Sequence, residues 1–209
     1  MPKIIDHGER RQELLAAVWR VIARDGLDRA TIRSIAKETG WSSGVLAHYF
    51  VDKDDILISA IRLAHERIED RWDEKLKGLS GLEALRELVI DNLPLDDERE
   101  RETRFLMNYW SRSMRSLDGE RPARDETWRR GPALVDRLAT LVGEGQAAGE
   151  IVADDDPADV AERLLALIDG LSLHALLDPQ RVTRERQLAL ATQELDRLAV
   201  AQSRGEGHA

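Results

Sequence analysis

Cysteine is absent from this sequence of 209 residues, which excludes a disulfide framework and any thiolate metal site. A reducing compartment suits that absence, and a cytoplasmic location is the expectation. Histidine is scarce as well, with five in all. A helical-bundle enzyme with paired Glu-x-x-His motifs needs more. There is no Gly-rich phosphate loop, no nucleophile elbow and no paired metal-ligand motif. No catalytic residue, metal or cofactor is therefore expected. No apolar run approaches the roughly 18 residues of a membrane span. The opening stretch, MPKIIDHGERRQEL, lacks the apolar core of a signal peptide, so no membrane partner is expected. No stretch alternates with period two for long enough to be a strand, and no repeat or Gly/Ser-rich linker divides the chain.

What remains is helix. The chain is 42% apolar but only 4% aromatic, which suffices for a buried core built mainly from aliphatic side chains. Leu14, Leu15, Val18, Val21 and Ile22 recur at helical spacing, and Gly26 can end that helix in a left-handed turn. Thr31 is a good N-cap for a short helix over 31–37 that buries Ile32, Ile35 and Ala36. Gly40 makes the next turn, and Ser42 caps a second short helix over 42–48. Its inward face is expected to be Val45, Leu46, Tyr49 and Phe50, with Trp41 and Leu46 forming a hydrophobic staple. Asp52, with Asp55 three residues on, caps a long helix to Lys75 whose stripe is Leu57, Ile61, Ala64, Ile68 and Trp72. Further helices are predicted near 82–93, 97–117, 127–148, 157–177 and 183–202. The fold class is all-α, of about nine helices. A head over 1–55 precedes a larger body over 56–209.

The formal charge of -9 argues against nucleic acid at first sight, but its distribution is uneven. Residues 1–53 hold nine Lys/Arg against seven Asp/Glu, leaving 22 against 33 for the rest. Two short helices joined by a tight turn behind a supporting helix make a helix-turn-helix, whose second helix enters the DNA major groove. Small residues at its start, Ser42, Ser43 and Gly44, let the backbone approach base edges. His48, Tyr49 and Lys53 stand where the phosphates of the groove wall would be met.

The stretch GLDRATIRSIAKETGWSSGVLAHYFVDKDDIL resembles the DNA-binding head of TetR-type transcriptional repressors. The matching positions are Gly26, Ala30-Thr31, Arg33, Ile35-Ala36, Gly40, Ser42, Gly44, Leu46, His48-Tyr49-Phe50, Lys53 and Leu57. The resemblance implies DNA contacts at Thr31, Ser42, Ser43, Gly44, His48, Tyr49 and Lys53. Ala47 departs from it, because many members carry a tyrosine there that touches the backbone. The form Gly-x-x-Ala-His-Tyr-Phe is similar to that of choline-responsive betaine-pathway repressors, and DDDPADVAERLLALIDGL resembles a segment of the family's ligand-binding and dimerisation body. The implied protein is a ligand-responsive regulator. It binds palindromic double-stranded operator DNA as a homodimer and is released by a small molecule.

Apolar stripes on the last two helices, Leu164, Leu165, Ile168, Leu171 and Leu188, Ala191, Leu195, Leu198, are expected to pair with a second copy. The effector site is sought among Trp72, Phe105, Met107, Trp110, Met114 and Trp128, since aromatic-lined cavities commonly hold ligands. The implied ligand is mostly apolar or flat, with a quaternary ammonium over the Trp faces as a further option. These rings equally suit the core of an aromatic-poor bundle. The alternative to a regulator is a helical interaction or small-molecule-binding module, or an enzyme, keeping a vestigial head.

Overall fold

A computed structural model describes residues 7–26, 29, 31–115 and 122–200. Among these the chain forms nine helices: α1 (His7–Asp25), α2 (Ile32–Thr39), α3 (Ser43–Leu46), α4 (Lys53–Lys75), α5 (Gly81–Asp91), α6 (Asp97–Arg115), α7 (Pro122–Ala147), α8 (Pro157–Leu177) and α9 (Arg184–Leu198). The all-helical expectation holds, and the extended pairing among these residues is a lone antiparallel bridge between Ile151 and Ala199.

Local chemistry sets most helix starts. Thr31 closes a capping box with Ser34: its hydroxyl accepts from Ser34 N at 3.1 Å, and its own N–H donates to Ser34 Oγ at 2.8 Å. Asp52 accepts from Asp55 N at 2.8 Å, while Asp55 accepts from Val51 N at 3.1 Å. Asp156 accepts from Ala158 N at 2.8 Å beside Pro157, whose fixed φ suits a first turn. At α5 Ser80 occupies the N-cap position, yet its side chain makes no capping bond. Glu150 supplies it from a distance, accepting from Leu82 N at 2.9 Å. Gly81 makes room for that carboxylate, because a Cβ there would lie 2.3 Å from Glu150 Oε2.

Several boundaries differ from the sequence reading: α2 runs to Thr39 rather than 37, and α5 ends at Asp91 rather than 93. The second short helix is a single turn, Ser43–Leu46, not 42–48. α7 starts at Pro122 rather than 127, with its proline in the tolerated first position. α9 stops at Leu198 rather than 202. There the backbone is captured by the loop after α7: Val152 N donates to Leu198 O and Val200 N to Glu150 O, both at 2.9 Å. The end of the expected sixth helix at 116–117 and the tail from 201 lie outside the described residues, as do the side chains of Leu15, Lys53, Leu57, Met114 and Trp128.

The compact units do not fall at one boundary in the sequence. The first is Met1–Asp70 with Glu100–Arg130, and the second is Arg71–Arg99 with Gly131–Ala209. The first unit's core joins Leu14, Val18, Val21 and Ile22 of α1 to Ile35, Leu46 and Phe50, to Ile56, Ala60, Ile61 and Ala64 of α4, and to Phe105 and Tyr109 of α6. Ion pairs tie α1 to α2 at the surface, with Arg24 and Arg20 reaching Glu38 at 2.8 and 3.0 Å.

In the second unit α5 packs on α9, and α8 packs on α9. Its apolar interior includes Leu85, Leu88, Leu138, Val142, Leu164, Ile168, Ala191 and Leu195. At its edge sits Asp91, 2% exposed, which takes Lys75 Nζ at 2.7 Å and Arg71 Nε at 2.8 Å, with Arg99 at 3.7 Å. A buried carboxylate is tolerable only with such partners, and losing the carboxylate strands the cations that surround it. Asp91→Ala should lower the unfolding free energy by about 3 kcal/mol, the low end for a buried pair because the three cations still reach water. Urea unfolding measures this, and an unchanged midpoint would remove Asp91 as an anchor.

Candidate nucleic-acid interface and effector site

The helix-turn-helix is built from backbone geometry before any ligand is considered. Gly40 ends α2 at φ +72°, a left-handed conformation that costs an L side chain about 1–2 kcal/mol. It turns the chain directly into α3. Ser42 caps α3, accepting from Val45 N at 3.3 Å. Leu46 and Phe50 are fully sunk in the first unit's core, so this one turn is held from below by two side chains. Trp41 is half-buried and stacks at a tilt on Tyr49, ring centroids 5.9 Å apart, closing the turn at its side.

Ser42, Ser43, Gly44, Ala47 and His48 are exposed together on this turn. Tyr49 is half-buried on the core, and Thr31 is exposed at the start of α2 with its hydroxyl used in the capping box. Lys53 opens α4. One expectation fails: Val45 is not on the inward face but 41% exposed. A single helical turn has room for one buried spoke beside its cap, and Leu46 takes it. Arg29, Arg33 and Lys37 are also exposed around α2.

The aromatic residues proposed for an effector divide between the units. Phe105, Met107 and Trp110 belong to the first and Trp72 to the second. Phe105 is buried and meets Trp19 of α1 edge-on, centroids 4.7 Å apart at 67°. Trp110 packs on the same core and Met107 is half-buried. The core-filling role is the one these contacts describe for Phe105. Trp72 differs. It is buried, yet its indole N–H has no hydrogen-bond partner among the described residues. Buried indole N–H groups normally find one.

Sequence reading passed over three polar groups in α8 and α9. Ser172 Oγ and Gln187 Oε1 are buried without partners among the described residues. Asp169 is half-buried, and burial alone pushes its carboxyl up from 3.8 to about 6. An acid inside the apolar run LIDGLSLHALL was the available signal. Among the described residues, no three His, Asp or Glu side chains converge as a metal site requires. No described helix is long and apolar enough to cross a membrane.

A helix-turn-helix with a thin, exposed second helix, set in an all-helical chain, defines a DNA-binding regulator. The pattern of bacterial regulatory proteins of the tetR family matches residues 14–60, and that of the BetI-type transcriptional repressor C-terminal part matches residues 81–200. The HTH-type transcriptional regulator PksA of Bacillus subtilis is 34% identical over 208 residues, 98% of this chain and 97% of its own. The regulator BetI 1 of Chromohalobacter salexigens is 31% identical over 200 residues, 90% of this chain and 91% of its own. A transcriptional regulator from Saccharomonospora viridis, solved in complex with choline, superposes with TM-score 0.84 at 28% identity, over 94% of this chain and 100% of that one. The chain belongs to the TetR family, with a BetI-type C-terminal part, and is a ligand-responsive transcriptional regulator.

Asp169 supplies a pH test. A carboxyl whose folded pKa is raised stabilises the fold at pH below its unfolded value near 3.8, and that contribution is lost as pH rises to about 6. Above pH 6 the desolvated carboxylate is a cost. Asp169→Asn should therefore stabilise the protein at pH 7.5 by about 1–2 kcal/mol, discounted for residual water, and by almost nothing at a pH of about 3. Thermal unfolding at both pH values reads the difference.

Proposed function

We propose that this chain is a cytoplasmic repressor that binds palindromic operator DNA as a homodimer and leaves it when a small quaternary ammonium compound binds the body. The observation that carries the DNA half is the exposed, uncharged face of α3 on a turn anchored by Leu46 and Phe50. Residues 1–55 act as the DNA-binding head, and 56–209 serve effector binding and dimerisation. Ser43 and Gly44 face base edges. Thr31, Ser42, His48, Tyr49 and Lys53 meet the phosphate backbone, which fixes register without reading sequence.

Dimerisation is assigned to α8 and α9. Leu164, Ile168, Ala191 and Leu195 are buried within the subunit. The stripe that seeks a partner is shifted to Leu173, Leu177 and Leu188, exposed at 41%, 70% and 40%. Two heads would then meet successive major grooves about 34–36 Å apart, or a multiple of that.

Three observations favour a cationic effector over a merely flat one. The regulator from Saccharomonospora viridis was solved with choline. Asp169 is an acid desolvated by burial in the second unit, and Trp72 of the same unit is buried with its indole N–H unpartnered among the described residues. A methylated ammonium over an indole is worth about 0.5–2 kcal/mol. Of the remaining aromatic positions, Trp110, Met107, Met114 and Trp128 are assigned to the effector region with less support, and Phe105 with least.

Two experiments test this reading. Lys53→Ala should weaken binding to duplex DNA from the gene's own upstream region and reduce the slope of log affinity against log salt by about one phosphate's worth. Wild-type affinity retained by Lys53→Ala at both low and high salt removes the contact. Choline, titrated into the protein–DNA complex, should release it and shift tryptophan fluorescence. Trp72→Phe and Asp169→Asn should each weaken choline about tenfold, following the magnitude of one desolvated cation–π contact. Release that both variants leave untouched places the effector elsewhere.

A further inference from the structure

The turn assigned to the major groove lacks every side chain that reads a base by paired or acidic hydrogen bonding. Between Trp41 and Phe50 there is no Arg, Lys, Asn, Gln, Asp or Glu. Guanine is most often read by a guanidinium or ammonium on O6 and N7, adenine by a carboxamide on N6 and N7, and cytosine by a carboxylate on N4. The exposed side chains here are two serines, His48 and the apolar Val45 and Ala47. One serine is already committed, since Ser42 Oγ accepts from Val45 N.

Val45 has no reason to face water on its own account. It is 41% exposed although the adjacent Leu46 is fully buried. Its backbone is fixed: Val45 N and Leu46 N both donate to Ser42 O, at 3.0 and 3.2 Å. A valine in a helix also has one strongly preferred χ1, so its two methyl groups are held in one place. The matching apolar group on a base edge in the major groove is the C5-methyl of thymine, and aliphatic contact is how that group is read.

Resting on the DNA-binding reading above, we infer that Val45 is a specificity-determining residue that packs against a thymine C5-methyl. The half-site opposite α3 then carries an A·T pair, chosen by apolar contact rather than by paired hydrogen bonds. Ala47, one methyl on the same exposed turn, extends this apolar surface.

The test uses the full-length protein and a random-sequence duplex library. Selection should enrich one half-site with thymine at a fixed position in each arm. Replacing that thymine by deoxyuridine removes the methyl and nothing else. Wild-type affinity should then fall about fourfold per half-site, the factor for uncovering one methyl-sized group. Val45→Ala should bind thymine and deoxyuridine duplexes nearly equally, and Val45→Thr, which keeps one methyl, should retain part of the preference. Helical circular dichroism checks that both variants fold. If deoxyuridine leaves wild-type affinity unchanged, or Val45→Ala stays as sensitive to it as wild type, the Val45 assignment is overturned while the DNA-binding reading stands. If no sequence is enriched and no duplex binds, the DNA-binding reading falls and this inference falls with it.

Discussion

The apolar core shared by α1, α4 and α6 is what the helix-turn-helix depends on, since Ile35, Leu46 and Phe50 are buried in it with Phe105 and Tyr109. α2 has eight residues and α3 four. Helices so short are marginal alone, and their stability has to come from packing. Leu46 and Phe50 can anchor the reading turn only if something large lies beneath them. That floor is α1 and the first part of α4, completed by Phe105 and Tyr109 of α6. The turn at α3 is therefore anchored in a core that residues some 60 positions downstream of it, Phe105 and Tyr109, help to complete.

This arrangement also bears on how a ligand signal can travel. A ligand shifts an equilibrium only by its differential affinity for two states. Three helices, α4, α6 and α7, have residues in both compact units. Asp91 holds Arg71 and Lys75 of α4 and Arg99 of α6, and Arg71 and Arg99 are the residues at which those two helices pass into the second unit. Any state that turns α4 against α5 must lengthen ion pairs around a carboxylate that water cannot reach to compensate. Within the second unit, a displacement of the end of α4 or the start of α6 against α5 therefore carries an electrostatic cost.

Much of this was legible in the sequence, because the signals were local. The caps at Thr31, Ser42, Asp52, Asp156 and Thr183 bond within three residues, so side-chain type and spacing suffice to place them. The long stripe of α4 was legible for the same reason, and Ile61, Ala64, Ile68 and Trp72 are buried as expected. What was not legible depended on distant partners. Val45 was read as inward because periodicity over one turn cannot separate two neighbouring apolar residues. Phe105 was grouped with Trp110 as a pocket because aromatics clustered along the chain, yet its partner Trp19 lies 86 positions away. The cap of α5 comes from Glu150, beyond any local pattern. Leu188 belonged to a sound stripe, but which side faces the subunit core is decided by packing on α8 and α5.

The overall charge of -9 is compatible with DNA binding once screening is considered. At physiological salt, exposed charges act over about 8 Å. What DNA feels is the local surface near α2 and α3, where Arg29, Arg33 and Lys37 are exposed. Two acids of the same region are engaged: Glu38 is bonded by Arg24 and Arg20, and Asp25 by Arg24. Hydrogen bonds from Arg24 hold both carboxyls below their ordinary values. The acidic remainder, 22 Lys/Arg against 33 Asp/Glu, repels the duplex wherever the protein approaches it in another orientation. Non-specific affinity comes almost wholly from phosphate contacts. An acidic body lowers that term, and a weaker non-specific background leaves more of the discrimination to contacts with base edges.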